Sequence, residues 1–392
     1  MLPLYFEEMK TIVSPVFNHI LDAVSQFIDQ YDYEAIKNVQ KEMIDLGELL
    51  EKEYQIMDKP IIHLLESMIE DLYQLTLHRT DNKICRYSDL VRKIQKDAYN
   101  LSEELQNSVE VKQIDLALVL IEKNEALYIK EWIEYHNMVG VDHFYIYDNE
   151  STDNTLEVVQ PYIDSGLVTF IPFSGNVAQL PAYNDALNRF RLCAEYMGFI
   201  DADEFLVPVK GYSLKDVIIN IIESQQKCAY RACFAGGIAV NWRNYGPSGN
   251  KRRPEGLVIE NYNYRGGEKC IDDALVKVIV NPIYVKKFEI HPHNVIYTDD
   301  RVATISENGS VVVGPYFFDA HYEKIRINHY FSKSVDEYKT KIYERGWPDI
   351  PPEQWEKRYA PYIEKLTRCD DVYDDCMMRF VEPLKERMKL YK

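Results

Sequence analysis

At 392 residues, with 46% hydrophobic and 28% charged side chains, the chain has enough apolar mass for a substantial core and is longer than a typical single domain. Its net charge of −18, from 45 basic and 63 acidic residues, excludes wholesale electrostatic recognition of nucleic acid. Neither Cys228/Cys233 nor Cys369/Cys376 has the sequence companions of a zinc motif, and an odd total of seven cysteines gives no disulfide framework. With no apolar run of bilayer length and no leader-like start, the expected setting is cytoplasmic, with peripheral contact at the inner face of the cell membrane left open.

Residues 1–110 contain a single glycine, Gly47, and repeat apolar side chains at helical spacing, as in Ile36, Val39 and Met43 or Ile61, Leu64, Leu65, Met68, Ile69 and Leu72. This pattern predicts a helical bundle or extension. Its simplest role is stabilising; contact with an oligomer mate or a protein partner is the alternative. The rhythm changes near Gln113. Residues 115–121 read as a buried strand, 126–138 as a helix in which His136 is a packed residue, and 143–147 as a second strand. A polar run from Asp148 to Asp153 precedes another helix. Residues 168–172 form a third strand, and Tyr183 to Met197 read as a helix leading into Gly-Phe-Ile-Asp-Ala-Asp-Glu-Phe at 198–205.

Alternation of strand and helix predicts an α/β fold with a mostly parallel central sheet. Ligands in such sheets bind beyond the carboxyl ends of the strands, which gathers Glu125, Asp148, Asp201 and Asp203. Asp201 and Asp203, one residue apart, offer hard oxygen ligands for a divalent cation, while turn formation and helix capping are the competing uses of the same residues.

Four blocks together resemble glycosyltransferase family 92, of the GT-A nucleotide-sugar-binding architecture. The first runs from Asn124-Glu125 through Trp132–His136 to His143–Asn149, Ser151 and Asp153. The second is Asp201-Ala202-Asp203-Glu204-Phe205. The third spans Trp242, Tyr245–Asn250 and Gly256–Glu260, and the fourth combines Asn328-His329-Tyr330, Lys333-Ser334, Lys341 and Gly346. Pro247 and Asn250 depart from a family form resembling Gly-Ser-Ser-Gly-His. The resemblance implies a GT-A domain over residues 111–346, with the helical region before it and a helical tail over 347–392.

It also implies metal-dependent, inverting transfer of a sugar, a hexose above all, from a nucleotide-diphosphate donor such as a UDP-sugar to a hydroxyl of a glycan or glycolipid. Asp203, Asp201 and His329 are then the expected ligands for Mn2+ or Mg2+, with manganese mildly favoured by the mixed donor set. Glu125, Asp148, Lys277 and His293 are expected around the donor, and Trp242 and Tyr245 form a candidate acceptor platform. The base lies on the acceptor side, at Asp272 or its rival Glu260. Competing readings are a noncatalytic nucleotide-sugar-binding protein and a metal-dependent phosphohydrolase.

Overall fold

The computed structural model describes residues 114–341 apart from 192, 227–233, 269, 299 and 300, together with 363–389 and isolated positions elsewhere. The helical reading of residues 1–110 therefore lies outside the described residues, apart from positions such as Met43 and Ser67.

The first half alternates strand and helix as expected: β1 (Ile114–Glu122), α1 (Ile129–Met138), β2 (His143–Asp148), α2 (Thr155–Asp164), β3 (Val168–Pro172), α3 (Gln179–Phe190) and β4 (Ala194–Phe199). One expectation fails here. Residues 194–197 are not the end of a helix, because the chain turns after Phe190 and enters β4. Gly198 explains why a strand is favoured: a Cβ there would lie 2.6 Å from Leu118 Cδ2, so glycine lets β4 close against β1.

The second half comprises β5 (Glu204–Pro208), α4 (Leu214–Gln226), β6 (Phe234–Asn244), α5 (Val258–Asn261), β7 (Tyr264–Arg265), a 3-10 turn (Ile271–Ala274) and β8 (Val276–Val280). After these come β9 (Val285–Lys287), β10 (Ile296–Tyr297), β11 (Val302–Ile305), β12 (Ile325–His329), α6 (Val335–Thr340), α7 (Ile363–Arg368), β13 (Val372–Tyr373) and α8 (Met378–Lys389).

The strands build one mixed, mostly parallel sheet in the order β3-β2-β1-β4-β8-β6-β12-β5, with β11 on β6. From β3 to β4 all pairs are parallel, and β8 then runs antiparallel to both β4 and β6. Burial on both faces makes β1 a continuous apolar run from Leu116 to Ile121. Trp132, Ile133 and Tyr135 of α1 cover one face, while Tyr183, Ala186 and Leu187 of α3 cover the other.

Residues 369–389 join this body: β13 pairs with β7, Asp374 bridges Arg265 and Arg326, and Phe380 of α8 packs edge-on against Tyr135. Among the described residues no helix is long and apolar enough to cross a membrane.

Candidate active site

Parallel register sets Glu122 at the end of β1 opposite Asp148 at the end of β2, and leaves Asp201 just beyond β4. From the other half, β12 ends with His329 paired to Asn244 of β6 on one side and Glu204 of β5 on the other. Two long-range registers thus deliver the histidine to the acids. The amide of Tyr330 donates to the Asp203 carbonyl at 2.8 Å, which fixes the loop between β4 and β5 against the end of β12.

Asp203 and His329 form the centre. Asp203 is buried, with Oδ2 accepting from Lys341 Nζ at 2.6 Å and Oδ1 lying 3.5 Å from His329 Nε2. Burial alone would raise this carboxyl, but the ammonium groups of Lys341 and Lys333 hold it well below its usual range. His329 is pulled down to about 4, chiefly by burial, so its imidazole is neutral near neutral pH.

The tautomer follows from Asn244. Its Nδ2 donates to the Asp272 carbonyl and to Asp273 Oδ1, leaving Oδ1 to accept from His329 Nδ1 at 3.0 Å. His329 Nε2 therefore presents a lone pair to an ionised carboxylate oxygen. Two lone pairs converging at 3.5 Å repel each other unless a cation or proton lies between them, and the N/O pair fits a borderline or hard divalent ion.

Asp201 has different company. Its Oδ1 accepts from Gln179 Nε2 at 2.7 Å and Tyr183 Oη at 3.3 Å, and its Oδ2 lies 2.9 Å from Lys277 Nζ. Among the described residues, Asp201, Asp203 and His329 do not all come within 4.8 Å of one another, so the arrangement unites two of the three expected ligands. Lys277 sits on β8 opposite Val240, fully buried, with Glu204 Oε2 3.8 Å away. Burial disfavours its charge, but Asp201 and Glu204 raise it, and the lysine stays cationic. Glu204 is displaced upward, first by burial.

His293 lies beside this group: Nδ1 meets the Val276 carbonyl at 2.9 Å, and the ring packs edge-on against Trp242, 5.4 Å between centroids. Burial, then Lys277, lowers it to about 3. Trp242 also leans on His329 at 4.1 Å, and its buried Nε1 has no partner among the described residues.

Around the β1 and β2 ends the acids crowd one another. Glu122 is pushed up to about 9, by burial first and then by Asp148, Glu125 and Asp153. Glu125 is buried with Lys333 Nζ 3.9 Å away, and Asp148 Oδ2 accepts from the Ser151 amide. Asn124 (φ 57°) and Glu150 (φ 61°) hold left-handed backbone at these strand ends, and Asn124 Oδ1 accepts from the amides of Thr152 and Asp153. Glu122, Gln179, Tyr183 and Asn244 escaped the sequence reading. Only Glu122 carried a usable signal, an acid closing an apolar strand just as Asp201 does.

The expected bases are engaged elsewhere. Glu260 Oε1 pairs with Lys385 at 2.6 Å while Oε2 accepts the Leu257 amide in a helix cap. Asp272 Oδ2 lies 3.2 Å from Arg368, and its carbonyl supports Asn244. Tyr245 is buried, accepting from Arg326 at 3.0 Å, so it is not an open platform.

The sequence model of glycosyltransferase family 92 matches residues 119–359, more than half of the chain. The chain belongs to glycosyltransferase family 92. Its curated relatives include a family 92 protein of Ricinus communis, 26% identical over 69% of this chain and 48% of the relative. A galactan beta-1,4-galactosyltransferase of Arabidopsis thaliana is 30% identical over 52% of this chain and 38% of its own length. A beta-1,4-galactosyltransferase of Caenorhabditis elegans is 28% identical over 50% and 46%. The chain spans about half or less of the length of these relatives. Among solved structures, Staphylococcus aureus TarS with UDP aligns at a TM-score of 0.33 and 13% identity, over 55% of this chain and 60% of that one.

Proposed function

We propose that the chain transfers a hexosyl group from a nucleotide-diphosphate sugar, with a uridine diphosphate donor the leading choice, to a hydroxyl of a glycan or glycolipid. Transfer proceeds with inversion and needs Mn2+ or Mg2+ held by Asp203 and His329. The observation that carries this reading is the convergence of the neutral His329 Nε2 and the ionised Asp203 Oδ1 at 3.5 Å. Family membership supplies the reaction class, and the galactosyltransferase relatives favour galactose.

A divalent ion there would neutralise charge growing on the departing diphosphate. Lys277, cationic beside the half-exposed Asp201, adds fixed positive charge, and Trp242 Nε1 supplies a free donor. Glu122, protonated at neutral pH, can donate an O–H to a carbonyl or hydroxyl of the donor base or ribose, while Asp148 and Glu125 accept from its N–H and O–H groups. In the reaction the bond from the anomeric carbon to diphosphate oxygen breaks as the acceptor oxygen attacks the opposite face. The acceptor proton passes to a carboxylate, Asp272 or Glu260, which must first part from Arg368 or Lys385 respectively. The setting proposed is cytoplasmic, with an acceptor that is soluble or presented at the membrane.

The test is nucleotide release by the purified protein across a panel of sugar nucleotides, with and without Mn2+, beside Asp203→Asn. Release of one intact nucleoside diphosphate, dependent on metal and lost in the variant, supports the proposal. Release of inorganic phosphate or sugar phosphate would replace it with hydrolysis. Selective donor binding with no turnover on any glycan acceptor would favour a noncatalytic binder.

A further inference from the structure

Apart from the Asp203–His329 pair, two thiols at the edge of a small apolar cluster meet the carboxylate of Asp272, one of the two candidate bases. Cys270 Sγ, Asp272 Oδ2 and Cys369 Sγ belong to a group whose ligand atoms all lie within 4.8 Å of one another, with Cys270 Sγ and Asp272 Oδ2 4.0 Å apart. It is the one such group of three among the described residues. Cys270 and Asp272 flank the start of the 3-10 turn, and Cys369 follows the end of α7, so the corners come from segments almost a hundred residues apart. Gly266 leaves room for this packing, since a Cβ there would stand 2.8 Å from Cys270 Sγ. Cys369 is fully buried, whereas Cys270 and Asp272 are half-buried and reachable from solvent.

We infer that Cys270, Asp272 and Cys369 form a second metal site, for a thiophilic divalent cation of the zinc class. Zinc bonds of about 2.3 Å to sulfur and about 2.1 Å to oxygen set tetrahedral ligand atoms about 3.6–3.8 Å apart, a short contraction from the spacing present. Binding releases the two thiol protons to solvent and leaves the fourth position to water. Arg368, half-exposed and 3.2 Å from Asp272 Oδ2, must swing aside. The bound ion would pin residues 369–374 to the loop before β8 and withdraw Asp272 from proton transfer, leaving that task to Glu260.

The test is titration of the full-length protein, reduced and stripped with chelator, with Co2+ followed by Zn2+. The expected result is a thiolate-to-cobalt charge-transfer absorption that saturates at one equivalent and is bleached by Zn2+. It should be lost in Cys270→Ser and kept in Asp203→Asn, which separates it from the donor site. Should Cys270→Ser fail to fold, Asp272→Asn keeps both thiols and should weaken Co2+ at least about tenfold, while Arg368→Gln should tighten it. Absence of the thiolate band in folded protein, its persistence in Cys270→Ser, or its loss in folded Asp203→Asn would each overturn the site. A Cys270–Cys369 disulfide whose reduction restores no Co2+ band would do the same.

Discussion

The candidate active site has two acidic halves that solve the same electrostatic problem differently. Beyond β4, Asp201 and Asp203 are matched by Lys277 and Lys341, and both carboxylates meet lysine ammonium groups at 2.6–2.9 Å. At the ends of β1 and β2, Glu122 and Asp148 face one another with more acids nearby, and the burden falls on a proton held by Glu122. Buried like charges must be paired, neutralised or bridged. The first half is therefore set for charge, the diphosphate and its ion. The second is set for neutral hydrogen-bonding groups such as a base and ribose. Exchange of those roles is what experiments should try to force.

The largest effect is expected at Lys277. Replacing it with Met leaves Asp201 and Glu204 without their buried cation, and loss of one partner of such a pair costs about 3–5 kcal/mol. Denaturant unfolding should show that loss, and adding Glu204→Gln should return part of it. If Lys277→Met unfolds at the same midpoint as the parent, the first half is not charge-paired and the comparison fails. Asp203→Asn should keep the fold but lower metal-dependent turnover by on the order of 10²–10³. A folded variant with unchanged turnover removes Asp203 from the centre. A smaller loss belongs to Asn244→Ala, which frees His329 to rotate; Mn2+ affinity measured by calorimetry should fall about 10- to 100-fold with donor affinity in the absence of metal unchanged.

How much of this was legible depended on range. The strands read at 115–121, 143–147 and 168–172 match β1, β2 and β3 within a residue or so, because doubly buried parallel strands are uninterrupted apolar runs. His136 was legible as a packed residue, and its Nδ1 and Nε2 are both spent on backbone, at Trp132 and Leu206. β4 was not, since Glu195 and Tyr196 are half-buried and interrupt the apolar run that marks its neighbours. The partners of the acids were hidden for another reason. Lys277 was expected around the donor, but its pairing with Asp201 was not legible, since only the β8 register to β4 and β6 puts it beneath that carboxylate. Likewise Asn244 meets His329 across 85 residues of sequence, a contact no local pattern encodes.

The smallest effect tests the second half, through pH. Glu122 ionises near 4.5 when exposed and near 9 in the fold, so between those values folding takes up a proton that the unfolded chain lacks. Its contribution to stability is complete below the lower value and is lost as pH rises through the upper one. The slope is at most about 1.4 kcal/mol per pH unit for this single group. Glu131, raised to about 7 by burial, adds to the same trend, so the informative quantity is the difference between parent and Glu122→Gln. The variant keeps the neutral hydrogen-bonding shape and should flatten the fall in thermal midpoint from mildly acidic to mildly alkaline pH while leaving donor binding at neutral pH nearly unchanged. Identical slopes would mean that Glu122 is ionised in the fold. The second half would then need a cation of its own, and its assignment to the neutral part of the donor would be withdrawn.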